Sequence, residues 1–449
     1  MKKKLIIGLM LSSFINVNAQ TNGYTLKQCV DYALNSSPQI KNTQIDQVIT
    51  DNKAKEVRAK LLPHVEGEAD FIHNFNIQKI ILENGVIPAF TNPMQPKGEV
   101  IAFQLQLQNN MVTSLNASQI IFDKGLFSQL NASSLYDELA TENVKKSKVD
   151  VVELVSKAYY GVLVTQQQLI FLRNNLARLD SVYNETEARF KAGLIKQIDL
   201  YRVEVALNNM KEELEKSEKN LSLSKSVLAF QMNIDNPENI ILTDSLNEFS
   251  FTETTISSTQ MNYNSRIEYS ILLTQQKIGL EKTKIAKSAF YPRLSAFATS
   301  GFNPSATNAS DIFQSSRYYN YTFVGAKLQI PIFSGFDKRF KLKNELLEEE
   351  KLKNNIQRTE KIIGLEVQQA QINYSKAIES LKIQKRNLNL AQENLKSIKI
   401  ENEKGIANNI EVINAETDLR QAQNSYYNSL YQIYIAKIDL DKSLGNLKY

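Results

Sequence analysis

The sequence predicts a mainly α-helical chain, internally duplicated as helix-strand-strand-helix, in which each half also carries two strands of a partial β-barrel. Three observations lead there. Glycine and proline number only 15 and 9 in 449 residues and tryptophan is absent, a profile of long helices with polar faces. Apolar residues recur at helical spacing over very long stretches, most clearly at Leu169, Leu172, Leu176, Leu179 and Val182, which makes a coiled-coil seam. Short segments with strict two-residue alternation interrupt these stretches.

The chain opens with Lys2, Lys3 and Lys4 ahead of an apolar run from Leu5 to Phe14, followed by small residues ending at Ala19, the pattern of a secretory signal peptide. Without those three lysines the formal net charge falls from +5 to +2, and nothing in its distribution points to nucleic acid. No later stretch reaches the roughly 18 apolar residues that a membrane helix needs, so any contact with a bilayer has to be made by strands. Cys29 is the one cysteine, so no internal disulfide can form.

Helices are punctuated at Ser37-Pro38, an N-cap followed by proline at the first helical position, and at Gly193 and Gly405, which end long patterns. Between Gly125 and Ala192 nothing interrupts the pattern; a helix of that span is ~100 Å long at 1.5 Å per residue, too long for a compact core. Off the seams, charged residues read as a solvated surface with i,i+4 pairs such as Glu349 with Lys353.

The clearest alternation runs from His64 to Phe71, where Val65, Gly67, Ala69 and Phe71 face one way and His64, Glu66, Glu68 and Asp70 the other. From Ala102 to Gln108, Phe103, Leu105 and Leu107 alternate with glutamines. Leu294–Phe302 and Tyr321–Ile332 are aromatic-rich and less regular. Strands with one apolar and one polar face suit a barrel wall between lipid and water, yet four are too few to close a membrane barrel, for which about eight is the minimum. Copies of the chain must complete it, and dimers would satisfy this count as well as trimers. The alternative is a small soluble sheet capping a helical stalk.

The chain is written twice. Pro63 corresponds to Pro292 at an offset of 229, Phe122 to Phe333 at 211, and Gly193 to Gly405 at 212. The expected division is a leader at 1–19, a first repeat at 20–235 with strands at about 64–76 and 100–122, a linking segment at 236–262, and a second repeat at 263–449 with strands at about 292–303 and 319–333.

These features together resemble the TolC-type outer-membrane efflux proteins. The resemblance rests on Tyr24-Thr25-Leu26 with Ala33 to Pro38, Leu62-Pro63, Tyr291-Pro292-Arg293-Leu294, Ile330 to Gly335 and the two glycine turns, and it covers essentially the whole mature chain. It implies a homotrimer with a twelve-stranded barrel in outer-membrane lipid, continued into the periplasm by an α-helical barrel. It also implies a passive duct, working in efflux or type I secretion with a periplasmic adaptor and an inner-membrane transporter. In such proteins the helical turns, here Gly193-Leu194-Ile195 and Gly405-Ile406-Ala407, meet the adaptor, and acidic residues just beyond them, here Asp199 and Glu411, line the closed entrance. A second acidic position falls on Asn414 and a latching arginine on Ala407, two departures from the pattern.

No phosphate loop, dinucleotide fingerprint, zinc-protease or nucleophile-elbow motif occurs, and His64 and His73 stand at opposite ends of one strand. The expectation is no catalytic residue, no metal and no cofactor. Two other readings keep the leader and helices: a secreted structural or adhesive stalk, and a periplasmic adaptor. Neither calls for two pairs of amphipathic strands.

Overall fold

A computed structural model describes residues 23–449 except 105, 245 and 247–261. The expected leader, Leu105 and most of the linking segment lie outside the described residues. The chain divides into two compact units, one made of residues up to Thr43, Val144–Tyr269 and Glu360–Tyr449, the other of Gln44–Asn143 and Ser270–Thr359.

The second unit holds the sheet. Strands β1 (His64–His73), β4 (Asn109–Asp123), β5 (Arg293–Phe302) and β7 (Asn320–Gln329) pair antiparallel in the order β1-β4-β5-β7, with β6 (Ser305–Ala306) added beside β4. Strands β2 (Lys79–Glu83) and β3 (Val100–Gln104) form a separate hairpin. The segment expected as one strand over 100–122 is therefore two strands in two sheets. Of the alternating stretch only residues 102–104 lie in β3, and the asparagines of β4, Asn109, Asn110 and Asn116, mask the period of the strand that joins the main sheet.

Register places Val65, Ala117, Ala298 and Val324 in one row across the sheet, with Leu115 and Leu328 on the same face; Val324 is 79% exposed and Leu115 62%. The opposite face carries Glu66, Glu68 and Asp70 on β1, where Asn116 donates to Glu68 (3.4 Å) and accepts from Thr299 (2.8 Å). Toward β7 this face turns aromatic: Phe297 packs edge-on to Phe323 at 6.2 Å and covers Gly325. A β-bulge at Ile120–Phe122 shifts the β4–β5 register near the helical end. Outward β1 and β7 edges have no partner strand among the described residues.

Helices α2 (Pro38–Ala59) and α5 (Ile267–Ser288) lead into β1 and β5, while α3 (Lys124–Lys191) and α6 (Asp337–Glu403) leave β4 and β7. Within this unit Gln47 of α2 donates to Thr141 of α3 at 2.9 Å, and Lys277 of α5 pairs with Glu138 of α3 at 3.1 Å. Gly279 of α5 lies so close to Leu352 of α6 that a Cβ would meet it at 2.7 Å. The expected pair of Lys353 with Glu349 forms at 3.0 Å.

The first unit is helical. Here α1 (Leu26–Ser36) starts at a capping box in which Thr25 accepts from the Gln28 amide, and Gln28 accepts from that of Thr25. Its Cys29 and Ala33 pack on Val155, Tyr159 and Val162 of α3 and on Leu228 and Met232 of α4 (Gln197–Met232). The Tyr159 hydroxyl donates to Asp244 at 2.6 Å, and Asp244 also accepts from the Leu26 amide at 3.2 Å. Burial, reinforced by the Asp244 charge, pushes the Cys29 thiol up to about 12. A second core joins α6 to α7 (Asn409–Ser443): Ala370, Tyr374, Ala377 and Leu381, spaced 4-3-4, meet Tyr426, Leu430 and Ile433. Buried Arg266 fixes the end of α7, donating to the Ser443 carbonyl at 2.9 Å while pairing with Glu268 and Glu366.

Candidate functional site

The coiled-coil seam positions the site. Leu172 and Leu179 of α3 are buried against Val203, Leu207 and Met210 of α4, so the two helices stay together down to their connection. Leu395 of α6 packs likewise on Ala415 and Leu419 of α7. Both pairs end in the same turn. Gly193 (φ 73°) donates to the Phe190 carbonyl at 2.9 Å and Leu194 to that of Arg189 at 2.9 Å. Gly405 (φ 74°) donates to Asn402 at 2.9 Å and Ile406 to Glu401 at 2.8 Å. This left-handed termination satisfies carbonyls that a helix end leaves open, and glycine adopts it without steric cost.

The next residue on each turn points away from its helices: Leu194 and Ile406 are each 74% exposed. Beyond them the turns differ. Ile195 is half-buried and Lys196 caps α4 with no side-chain hydrogen bond, whereas Ala407 is buried and its carbonyl accepts from Asn402 at 2.9 Å. Asn408 then caps α7, accepting from the Glu411 amide at 3.0 Å and donating to the Glu411 carboxylate at 3.2 Å.

Asp199 and Glu411 occupy the same third helical position of α4 and α7, where the helix dipole favours a carboxylate. Asp199 is half-buried with Arg202 at 3.8 Å; Glu411 and Asn414 are exposed. Glu411 is thus engaged by its own cap, while Asp199 has a cation on the following turn.

Further along these helices lies a polar cluster that the sequence reading missed. Glu416 of α7, only 10% exposed, meets Arg178 of α3 at 3.2 Å and Lys399 of α6 at 2.8 Å. Arg178 also donates to Asn175, and Asn175 donates to Gln423 of α7 at 3.1 Å. Arg420 of α7 pairs with Glu213 of α4 at 2.7 Å. All four helices are therefore tied through side chains, three of which, Asn175, Glu416 and Arg420, line a cavity of about 110 Å³ together with Leu179, Met210 and Ile413. Asn175 beside the leucine seam was the one sequence signal, because a buried amide there needs a partner.

These side chains can pair and screen charge; among the described residues no group of three or more metal-ligating side chains comes together. No described helix is long and apolar enough to cross a membrane.

The family described as Outer membrane efflux protein matches residues 29–230 and 275–446. The chain is 20% identical to the outer membrane protein TolC of Vibrio cholerae over 337 residues, which is 74% of this chain and 76% of that protein. It is also 20% identical to TolC of Escherichia coli, over all of this chain and 87% of that one. Among solved structures, the Campylobacter jejuni CmeC outer membrane channel superposes with a TM-score of 0.74 at 16% identity, over 95% of this chain and 86% of that one. The open-state MtrE outer membrane channel of Neisseria gonorrhoeae gives 0.74 at 16% identity over 94% and 89%. With a matching profile over most of its length and a fold shared with outer membrane channels, the chain belongs to the outer membrane efflux protein family and is an efflux channel of that membrane.

Proposed function

We propose that three copies of the chain close one twelve-stranded barrel, β1 of each pairing with β7 of the next, and that the helices continue it as a passive duct without enzymatic activity. The observation that carries this is the open sheet: two unpartnered ten-residue edges and an exposed apolar face. Because strands alternate in direction along β1-β4-β5-β7, β1 and β7 run oppositely, so edges of neighbouring copies meet antiparallel. Closure is what a lipid-exposed sheet requires, since unpaired backbone cannot find water there.

In this reading the turn tips Leu194 and Ile406 dock a periplasmic adaptor, with Gly193, Ile195, Gly405 and Ala407 shaping the turns, and the adaptor links the duct to an inner-membrane transporter. Asp199, Glu411 and Asn414 stand where a ring around the entrance would form, and three-fold repetition of a carboxylate favours cations. Ala407 cannot serve as an ionic latch; the half-buried Arg178–Glu416–Lys399 cluster is the chain's own means of holding its two helical pairs together.

The test is planar-bilayer conductance of the detergent-purified protein, with Asp199→Ala and Glu411→Ala beside the wild type. A heat-modifiable trimer that conducts, with cation block weakened in the variants, is expected. Protein that stays soluble without detergent and never conducts overturns the proposal.

A further inference from the structure

The four junctions between strands and helices lie along one edge of the sheet, because register sets the start of β5 beside the ends of β4 and β7, and the start of β1 near the end of β4. Their side chains fall into two classes. Phe290, Tyr291, Phe333, Phe336 and Phe340 are large, apolar and between 48% and 78% exposed. Arg58, Lys60, Lys287, Arg339 and Lys343 are exposed cations without an ion pair among the described residues. Of the carboxylates at the junctions, Asp123 and Asp337 are already held by Arg293 (2.8 Å) and Lys341 (2.9 Å), and Glu66, two residues into β1, lies on the face of the sheet opposite Val65 and Leu115. Glu56 and Glu345, the next along α2 and α6, stand further along their helices from the sheet than these cations.

One aromatic is held outward at a conformational cost. Phe336 has φ 66°, a left-handed backbone that a bulky residue rarely adopts, and its ring, packed edge-on against Phe333 at 5.7 Å, remains 55% exposed. Lys124 lies 3.6 Å over the Tyr291 ring, a second pairing of aromatic and cation at the same edge. The opposite edge of the sheet differs: the charged residues of 74–108, including β2 and β3, are Lys79, Glu83, Lys97 and Glu99, those of 303–319 are Asp311 and Arg317, and in each stretch the charges cancel.

Resting on the channel reading above, we propose that this collar binds anionic phospholipid headgroups of the periplasmic leaflet, the aromatics lying at the acyl boundary and the cations on the phosphates. The dimensions agree. The headgroup zone is roughly 5–8 Å deep on each side of the hydrocarbon. Arg339 lies in the first turn of α6, and Lys343 about 9 Å further than its start at 1.5 Å per residue, within reach of a long side chain that snorkels back. Because the helices leave from this edge, the leaflet is the periplasmic one, and the balanced charge at the far edge gives an anionic outer surface no comparable hold.

Native mass spectrometry of the full chain, released from neutral detergent micelles doped with equimolar phosphatidylglycerol and phosphatidylcholine, tests this. Wild type is expected to retain phosphatidylglycerol in excess, and Arg339→Gln with Lys343→Gln to lower that excess by roughly fivefold per cation. Inorganic phosphate should not compete, while Phe333→Ala should weaken retention of both lipids. Equal retention of the two lipids by wild type overturns the inference, as does an undiminished excess in the double variant. Preferential retention of lipid A, lost in that variant, would assign the collar to the outer leaflet and overturn it too. Insertion of all variants into vesicles with wild-type conductance keeps these outcomes separate from the channel reading, which fails instead if wild type inserts into no vesicle.

Discussion

Replacing Glu416 with alanine should loosen the α6–α7 pair from the α3–α4 pair. The carboxylate is 10% exposed and sits between Arg178 (3.2 Å) and Lys399 (2.8 Å), whose side chains are 34% and 35% exposed. Removing one partner of a fully buried pair costs about 3–5 kcal/mol, whereas an exposed pair contributes about 0–1. With a buried anion and two cations that can rehydrate, about 2 kcal/mol is the expected loss, roughly a 30-fold change in an equilibrium constant. Amide hydrogen exchange of residues 409–423 of α7 should accelerate by that factor in the variant. A double-mutant cycle with Arg178→Ala should return a coupling of about 1 kcal/mol or more. If the network holds the entrance shut, single-channel conductance rises in step. Unchanged exchange together with additive single-variant effects would refute the assignment of the cluster as the tie between helical pairs.

Three other outcomes are expected. Burial would raise the Glu153 carboxyl, but hydrogen bonds and charge from Lys157 and Lys442 hold it below the usual range. Its native value therefore lies under the unfolded one of about 4.3, so its stabilisation is complete above that range and lost as pH falls through the native value. Glu153→Gln should flatten the acid limb of guanidinium midpoints measured in detergent between about pH 3 and 7. Burial would lower Lys157 and Lys442, but hydrogen bonds and charge from the carboxylates facing them together raise both, so their share persists until strongly alkaline pH. Cys29, with its thiol pushed up to about 12, should resist iodoacetamide at pH 8 in the native protein and react once denatured, as mass shift would report. Gly405→Ala has open space around its Cβ but a φ of 74°, so the cost is backbone strain alone, about 1 kcal/mol, and Gly405→Asn should cost less.

Much of the helical framework was legible because its signals are long. The seam from Leu169 to Val182 repeats often enough to fix a face, and Gly193 and Gly405 end their helices for a reason of backbone geometry that no neighbour can override. Strand partners were not legible: only residues 102–104 of the alternating stretch fall in the hairpin, and Asn109, Asn110 and Asn116 break the polar–apolar alternation that would have marked β4. Helix α1 escaped notice although Thr25 and Gln28 form a capping box in the sequence, since eleven residues are too few for periodicity to stand out. The charged cluster was hidden for another reason. Arg178, Lys399, Glu213 and Glu416 lie on four helices and look in the sequence like any solvated side chains; their meeting depends on how helical pairs pack.

The unpartnered edges of the sheet bear on the order of events in biogenesis. On each ten-residue edge strand, alternate residues turn their amide and carbonyl outward, about five of each. In hydrocarbon every such group left open costs several kcal/mol, so a lone copy in the bilayer would sit tens of kcal/mol above the closed ring proposed above. On the proposed barrel a single chain has no stable berth in the membrane, and association accompanies or precedes insertion rather than following it. The rate of appearance of channels should then rise more steeply than linearly with the amount of chain supplied, and one copy with a spoiled edge would disable the intact copies that join it.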